Sequence, residues 1–437
     1  MSEVRTGPTE GEAAGGDDSV QLLVANLFRR SAGAIVAGLA RRYGLEQLAM
    51  VEDAVQDALL EALRRWPFEG VPREPAAWLR TVAERKALDV LRRGAVLERK
   101  LAVAMDPDDT ADADRVRGDD AGLFDDDVLG MLFACCTPAL EREAAVALTL
   151  SVVAGFTARE VAQAFLVSEA TMAQRLVRAK RRLRESGARV VIPTDAEELA
   201  TRLPRVLDVV YLMFNEGYDA TEGDALVRED LCGEATRLAL LLADHPATTT
   251  PEVHALAALL LFQLARLSSR TEGDGAPVLL ESQDRTRWDR RLIAEGFRQL
   301  EKAGRGDRLT SLHLQAEIAS RHLLAVQFDQ TDWDGLLRAY DLLLECEPTL
   351  VVRVNRAVVV GQRFGAAAAL LALEEASRDP AASGYRWFFA VRGHFRAKAG
   401  DADGGRQDLR RASALTRSTP LVRWLEERHA ALLDSSA

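Results

Sequence analysis

The chain has 437 residues, of which 48% are apolar, and a formal net charge of −11. That length supports two or three helical or mixed domains, and the acidic balance excludes a protein that coats nucleic acid indiscriminately. No window approaches eighteen uninterrupted apolar residues, so no membrane span is expected.

The opening MSEVRTGPTEGEAAGGDDSV is acidic and glycine-rich. It lacks the basic-then-apolar order of a secretory signal, and residues 1–19 are expected to be a disordered leader of a cytoplasmic protein. Residues 20–95 form the first predicted helical module. Within it Val51 to Arg93, VEDAVQDALLEALRRWPFEGVPREPAAWLRTVAERKALDVLRR, divides into an acidic amphipathic helix, a Pro and Gly loop from Trp66 to Glu74, and a basic helix opened by Pro75. Residues 96–126 are predicted to be an acidic linker: positions 106 to 127 hold ten Asp against two Arg and too little apolar surface to pack.

The second predicted module spans 127–188. Thr157 and Glu160 have capping-box spacing and open a short helix with Val161, Ala164 and Phe165 on one face. Leu166, Val167 and Ser168 then form a turn, with Ser168 placed to cap a second helix whose Met172, Leu176, Ala179 and Leu183 repeat at helical spacing. Its other face carries Gln174, Arg175, Arg178, Arg181 and Arg182. This layout is a helix-turn-helix, in which the first helix braces a second that enters the DNA major groove. Ser168, Glu169, Thr171, Gln174 and Arg175 suit base edges or nearby phosphates, and the later arginines suit the phosphate backbone. The alternative is a solvated basic face on a plain helical hairpin.

Residues 196–325 read as a helical extension and 326–437 as helical repeats. Breaks before Trp333, after Phe364 and at Gly400 mark repeats of tetratricopeptide type, or a generic helical solenoid. Two stretches in the extension stand out, YLMFNEGYDA (Tyr211–Ala220) and SQDRTRWDRRLIAEGF (Ser282–Phe297). Asn215, Glu216, Gln283, Asp284, Arg285, Trp288 and Asp289 are expected to be a buried polar network that fixes helix packing rather than a ligand site. The six histidines are scattered from position 245 onward, and Cys135, Cys136, Cys232 and Cys346 form neither a metal spacing nor a disulfide framework. The fold class expected is all-α, with no metal, no cofactor and no enzymatic activity: glycine phosphate loops, nucleophile elbows and His–carboxylate clusters are missing from the sequence.

The first two modules resemble the extracytoplasmic-function sigma factors of the sigma-70 family. DAVQDALLEAL is similar to that family's core-polymerase-binding helix, WLRTVAERKALDVLRR to its minus-ten helix, and residues 127–188 to its minus-thirty-five domain. The two marked stretches of the extension are similar to a sigma-factor group with a C-terminal tetratricopeptide-like domain. The resemblance implies that Asp53, Gln56 and Asp57 bind core RNA polymerase. It places Trp78, Thr81, Arg85, Lys86, Asp89, Arg92 and Arg93 at the minus-ten element of promoter DNA, with Trp66 and Phe68 in a loop able to stack an unpaired base, although for both tryptophans core packing is the favoured reading. Ser168, Glu169, Thr171, Gln174, Arg175, Arg178, Lys180, Arg181 and Arg182 fall at the minus-thirty-five element. A C-terminal array beyond these modules implies regulation or scaffolding within the chain, through the Asn215 to Tyr218 turn, or a further protein partner. A stand-alone helix-turn-helix regulator with a protein-interaction solenoid is the alternative function.

Overall fold

A computed structural model describes residues 31–105, 127–190 and 193–434. The expected leader and positions 106–126 of the expected linker lie outside the described residues. The fold is all-α: eighteen α-helices and several 3₁₀ turns are described, with a single two-residue parallel ladder, β1 (Glu222–Gly223) on β2 (Arg417–Ser418). The chain divides into two compact units. One takes the residues up to Thr157 together with Gln174–Val206; the other takes Ala158–Ala173 together with Leu207–Ala437.

In the first unit, α1 (31–43) precedes a hairpin of α2 (Leu48–Glu69) and α3 (Pro75–Met105). Helix α2 buries Val51, Ala54, Val55, Ala58, Leu59, Ala62 and Trp66, and α3 buries Leu79, Ala83 and Ala87. These apolar stripes at helical spacing drive the pairing, because each helix can remove its stripe from water only against the other. Small alanines at the contact let the backbones approach. The loop between them is shorter than the sequence suggests: α2 runs through Trp66, Pro67 and Phe68 and ends where Gly70 takes φ 82°. Pro67, which has no N–H, costs α2 one intrahelical hydrogen bond near its end, and Gly70 supplies the left-handed termination that a side chain would resist. Helix α3 likewise continues to Met105, beyond the end expected for the first module at 95.

Helix α4 (Asp127–Cys135) is buried from Leu129 to Cys135, and α5 (Arg142–Val152) packs beside it. Helix α8 (Ala196–Tyr218) supplies Arg202, which donates to the Phe133 carbonyl at 3.0 Å, and Arg205, which donates to the Thr137 and Leu140 carbonyls at 2.7 and 2.9 Å. Two guanidinium groups thus bind carbonyls at and after the end of α4. All four cysteines are free thiols, and only Cys346 is exposed.

The second unit contains α6 (Ala158–Ala164), the turn after it, the C-terminal half of α8, and the helices from α9 (Glu229–Asp244) onward. Helix α10 (Pro251–Leu264) is its most enclosed element: Val253 to Phe262 are all buried, and α9, α11 (Arg290–Ala303) and α12 (Ser311–Leu324) surround it. Thr250 caps α10 by accepting from Val253 N–H, with Pro251 in the first turn.

Three helix pairs follow: α13 (Trp333–Cys346) with α14 (Leu350–Phe364), α15 (Ala366–Ser377) with α16 (Arg386–Lys398), and α17 (Ala402–Ala414) with α18 (Thr419–Asp434). Asp332, Thr349 and Asp401 cap three of these helices through their side chains, which explains why the breaks fall where the sequence places them. Each helix packs on its neighbours in the chain, so the region is a helical-repeat array of tetratricopeptide-like pairs.

Gly33 on α1 lies so close to the Val153 carbonyl that an added Cβ would meet its oxygen at 1.7 Å. Backbone cannot swing aside as a side-chain tip can. Gly33→Ala is therefore expected to destabilise the first unit by about 1–3 kcal/mol or more, seen as a lowered thermal midpoint of the full chain in calorimetry; an unchanged midpoint would contradict this packing.

Candidate nucleic-acid interface

The acidic face of α2 is presented to solvent. Asp53, Gln56 and Asp57 are all exposed, on the side opposite Val51, Ala54, Val55 and Ala58. On α3, Thr81, Arg85, Asp89, Arg92 and Arg93 are exposed and follow one another at three- and four-residue steps, so they share a face. Lys86 is turned aside: it is half-buried and bridges to Glu61 on α2 at 3.0 Å. The two tryptophans separate from Phe68. Trp66 is 2% exposed and meets half-buried Trp78 edge-on at a centroid distance of 5.4 Å, whereas Phe68 is 90% exposed at the end of α2. In this structure Trp66 is a core residue, and Phe68 is the aromatic ring of the hairpin that is available for stacking.

The helix-turn-helix has its second helix in α7 (Glu169–Glu185). Met172, Leu176, Ala179 and Leu183 are buried, and Ser168 Oγ accepts from the Thr171 N–H at 3.2 Å, as the sequence predicts for a cap. Leu166, in the turn, takes φ 52°, a left-handed conformation that strains a branched side chain, while its N–H bonds to the Gln163 carbonyl and that of Val167 to the Ala162 carbonyl. Ser168, Glu169, Thr171, Gln174, Arg178, Arg181 and Arg182 are exposed. Arg178 and Arg182 make no ion pair among the described residues. Arg175 reaches Glu143 at 3.0 Å and Arg181 reaches Glu185 at 3.7 Å, both accessible to solvent and so weakly held. Lys180 differs. Its ammonium donates to both carboxylate oxygens of Glu52 on α2 at 2.8 Å, and both groups are half-buried. The minus-thirty-five candidate helix is thus pinned, inside the first unit, to the helix that carries Asp53.

The first helix of the motif differs from the expected stripe. Ala164 is exposed and Phe165 half-buried, while Glu160, Val161 and Ala162 are buried. Glu160 accepts from Arg228 at 2.9 Å with both side chains 10% exposed, and Glu216 lies 3.9 Å from the same guanidinium. Arg159 lies 3.7 Å from Glu222. Leu166 packs against the cluster of Leu350, Val354, Ala369 and Leu373 in the array. All of these groups belong to the second unit, so the brace of the helix-turn-helix is seated on the extension. Nothing in the sequence announces Arg228 as its anchor, because the pair spans 68 positions.

The buried polar network expected in the two marked stretches is present only in part: Glu216, Gln283 and Trp288 are buried and Arg285 is half-buried, whereas Asp284 and Asp289 are exposed and the expected turn from Asn215 to Tyr218 is the last turn of α8. Asp219 accepts from the Arg386 guanidinium and the Trp387 indole, each at 2.7 Å, and Glu216 accepts from Thr221 N–H and hydroxyl. Trp288 is buried, donates to Ser269 Oγ at 2.9 Å, and lies between the guanidinium groups of Arg266 and Arg285. Gln283 accepts from Arg266, while Asp284 and Asp289 cap the turn and helix that follow them. Asn215 is exposed. No group of three potential metal ligands occurs among the described residues, and no described helix is long and apolar enough to cross a membrane.

A hairpin with exposed basic and aromatic groups, followed by a helix-turn-helix with an exposed arginine face, defines a DNA-binding factor with two separate readers. The comparisons with known proteins agree. Residues 28–96 match Sigma-70 region 2, residues 131–183 match Sigma-70 region 4, and residues 202–304 match a family of unknown function, DUF6596. The chain belongs to the sigma-70 family, as a member with a C-terminal extension. It is 41% identical over 383 residues to an uncharacterized protein of Rhizobium meliloti (strain 1021), covering 86% of this chain and 88% of that one. The crystal structure of yeast Tom70 is similar at a TM-score of 0.31 and 13% identity, over 97% of this chain and 87% of that chain, too distant to add to the fold described above.

Burial raises the Glu216 carboxyl to about 8, against the opposing hydrogen bond from Thr221, and the neighbouring Glu160 charge adds to the rise. Folding therefore binds a proton at Glu216 that the unfolded chain releases near its ordinary value of 4.5. Stability from this group is fully present below pH 4.5 and declines as pH rises towards 8, by at most about 5 kcal/mol at ~1.4 kcal/mol per pH unit. Glu216→Gln, which keeps the acceptor and removes the titration, is expected to flatten the fall of the thermal midpoint between pH 5 and pH 8. An identical pH profile in the variant would show that Glu216 is ionised in the fold.

Proposed function

We propose that this protein acts as an extracytoplasmic-function-type sigma factor: it binds core RNA polymerase through Asp53, Gln56 and Asp57 and reads promoter DNA with α3 at the minus-ten element and α7 at the minus-thirty-five element. The observation that carries this reading is the coexistence, in the family's order, of an exposed acidic face on α2 and two exposed basic helix faces. A repressor acting alone would have no use for the first. Family membership supports a role in promoter recognition and transcription initiation, in the cytoplasm where the polymerase is.

The division of labour follows from the residue types. Arg85, Arg92, Arg93, Arg178, Arg181 and Arg182 grip phosphates and supply affinity that falls with salt. Ser168, Glu169, Thr171, Gln174 and Arg175 at the start of α7 supply base-edge donors and acceptors. Each patch by itself is small. Linking them makes the second contact effectively intramolecular, and seating both on polymerase fixes their spacing. In the free chain the Lys180–Glu52 bridge holds the two modules together, so engagement with polymerase must break it to let the readers separate.

The C-terminal array regulates the minus-thirty-five reader in this proposal. Its support is the seating of α6 and its turn on the extension through Glu160–Arg228 and Leu166. Whatever moves the array moves the brace of the recognition helix.

Reconstituted holoenzyme should protect both the minus-ten and minus-thirty-five elements in footprinting, and protection of one or neither would overturn the reading. Replacing Arg178, Arg181 and Arg182 together by Ala should weaken promoter binding about 10–100-fold at moderate salt and reduce the slope of log affinity against log salt by ~2–3. The paired substitution Glu160→Leu with Arg228→Met removes both charges at once, avoiding an orphaned partner. It should alter the ratio of transcription from minus-thirty-five-dependent templates to that from minus-thirty-five-independent ones; an unaltered ratio would leave the array without a regulatory role.

A further inference from the structure

The second unit contains a cavity of ≈ 610 Å³ within the repeat array, walled by residues from the loop before α11 and from helices α12, α13, α14, α16, α17 and α18. This size falls in the range of sites for small organic molecules, about 300–1,000 Å³. Its middle is apolar and aromatic, with Trp333, Tyr340, Trp387 and Trp424 contributing rings.

His322 lines the wall with a buried Nδ1 that has no hydrogen-bond partner. Burial pushes this imidazole down to about 3, and Arg266 and Arg285 push it further in the same direction, so it stays neutral. A buried, unpartnered ring nitrogen is costly unless a ligand meets it. Lys398, Arg428, His394 and Glu281 also line it, the first two and Glu281 near enough to His394 to act on its charge. Burial, then Lys398 and Arg428, hold His394 below its ordinary value, so the imidazole adds no charge there. Arg428 lies over the Trp424 ring at 4.1 Å, and neither it nor Lys398 forms an ion pair among the described residues. Burial also lowers the Arg428 guanidinium, with Glu281 acting weakly against the shift. The cavity lining therefore holds two cations against one carboxylate, beside a large aromatic surface.

We infer that this cavity is a binding site for a small organic anion with an apolar, largely aromatic body, whose acidic group lies between Lys398 and Arg428. The body displaces water from the Trp333, Trp387 and Trp424 faces, and the anion supplies the charge the two cations lack. Guanidinium geometry suits a planar or branched acid, such as a carboxylate or sulfonate. The cavity and the apolar cluster against which Leu166 packs share α14 and α16, so occupancy is placed to act on helices that also seat the helix-turn-helix.

Two probes with a shared skeleton separate body from charge: 1-anilinonaphthalene-8-sulfonate, an aromatic anion, and N-phenyl-1-naphthylamine, its neutral counterpart. Titrated into the full chain at low salt, the anion should bind saturably at one site, quench tryptophan emission, and bind at least about tenfold more tightly than the neutral probe. Lys398→Gln with Arg428→Gln should remove that preference and leave the neutral probe's affinity unchanged. Ala431→Trp, on the exposed rim, should block both probes; circular dichroism melts establish that each variant is folded. Binding that does not saturate, equal affinity for the two probes, or anion binding that survives both variants overturns the inference. Because binding is read directly on the protein, these outcomes are independent of whether the chain directs transcription.

Discussion

One guanidinium organises the junction on which the rest of this chain depends. Arg228 is buried between Glu160, from the first helix of the helix-turn-helix, and Glu216, from the last turns of α8. Two carboxylates facing one cation would leave a net negative charge away from water, which is costly. With Glu216 raised to about 8 it carries its proton at neutral pH, leaving Glu160 as the charged partner. The distances agree with that assignment, since Glu160 is at hydrogen-bonding range and Glu216 is at 3.9 Å. A buried pair of this kind adds little net stability over an apolar contact, but removing one member costs about 3–5 kcal/mol. It therefore fixes position rather than supplying energy.

That fixed point shapes what surrounds it. The loop between Asp219 and Arg228 is tied to the array by Asp219 to Arg386 and Trp387, by the β1–β2 ladder, and by Leu226 in the cluster with Leu409, Leu421 and Leu425. The same loop ends in the residue that holds Glu160. Leu166 adds an apolar contact and pays for it with a left-handed backbone. Strain of that kind persists only where the surroundings over-determine the conformation, and it falls on the turn that sets the angle of α7. In the proposed function the extension controls the entry of the recognition helix, while the bases are read by side chains that remain exposed.

The acidic composition is consistent with this arrangement. In the proposed function the local excess of arginine on α3 and α7 serves as phosphate grips, and the surrounding acid limits binding to DNA by the free chain. Lys180 shows how the balance is used internally: a side chain suited to a phosphate is occupied by Glu52, one residue before the face assigned to polymerase. In the proposed function the two uses of Lys180 exclude each other, so polymerase binding and release of the reader would be coupled through this bridge.

The sequence by itself determined the class of the elements and most of their ends. Period-3.6 stripes gave α2, α3 and α7; Ser168, Asp332, Thr349 and Asp401 fixed helix starts through local side-chain bonds; and the exposed faces of α2, α3 and α7 were legible because their residues are spaced along single helices. Local signals failed where the competing partner was distant. Trp66 and Phe68 look alike as loop aromatics, and only the pairing of α2 with α3 buries the first and leaves the second exposed. Glu160 has capping-box spacing in the sequence, but its bond to Arg228, 68 positions away, is not legible there. Lys180 looks like one more basic residue until α2 folds beside it. The cavity has no linear signature, since its walls come from separate helices. Helical propensity, caps and amphipathic period act over a few residues, so sequence reveals them; ion pairing, burial and enclosed volume depend on which surfaces meet, and that was decided only by tertiary packing.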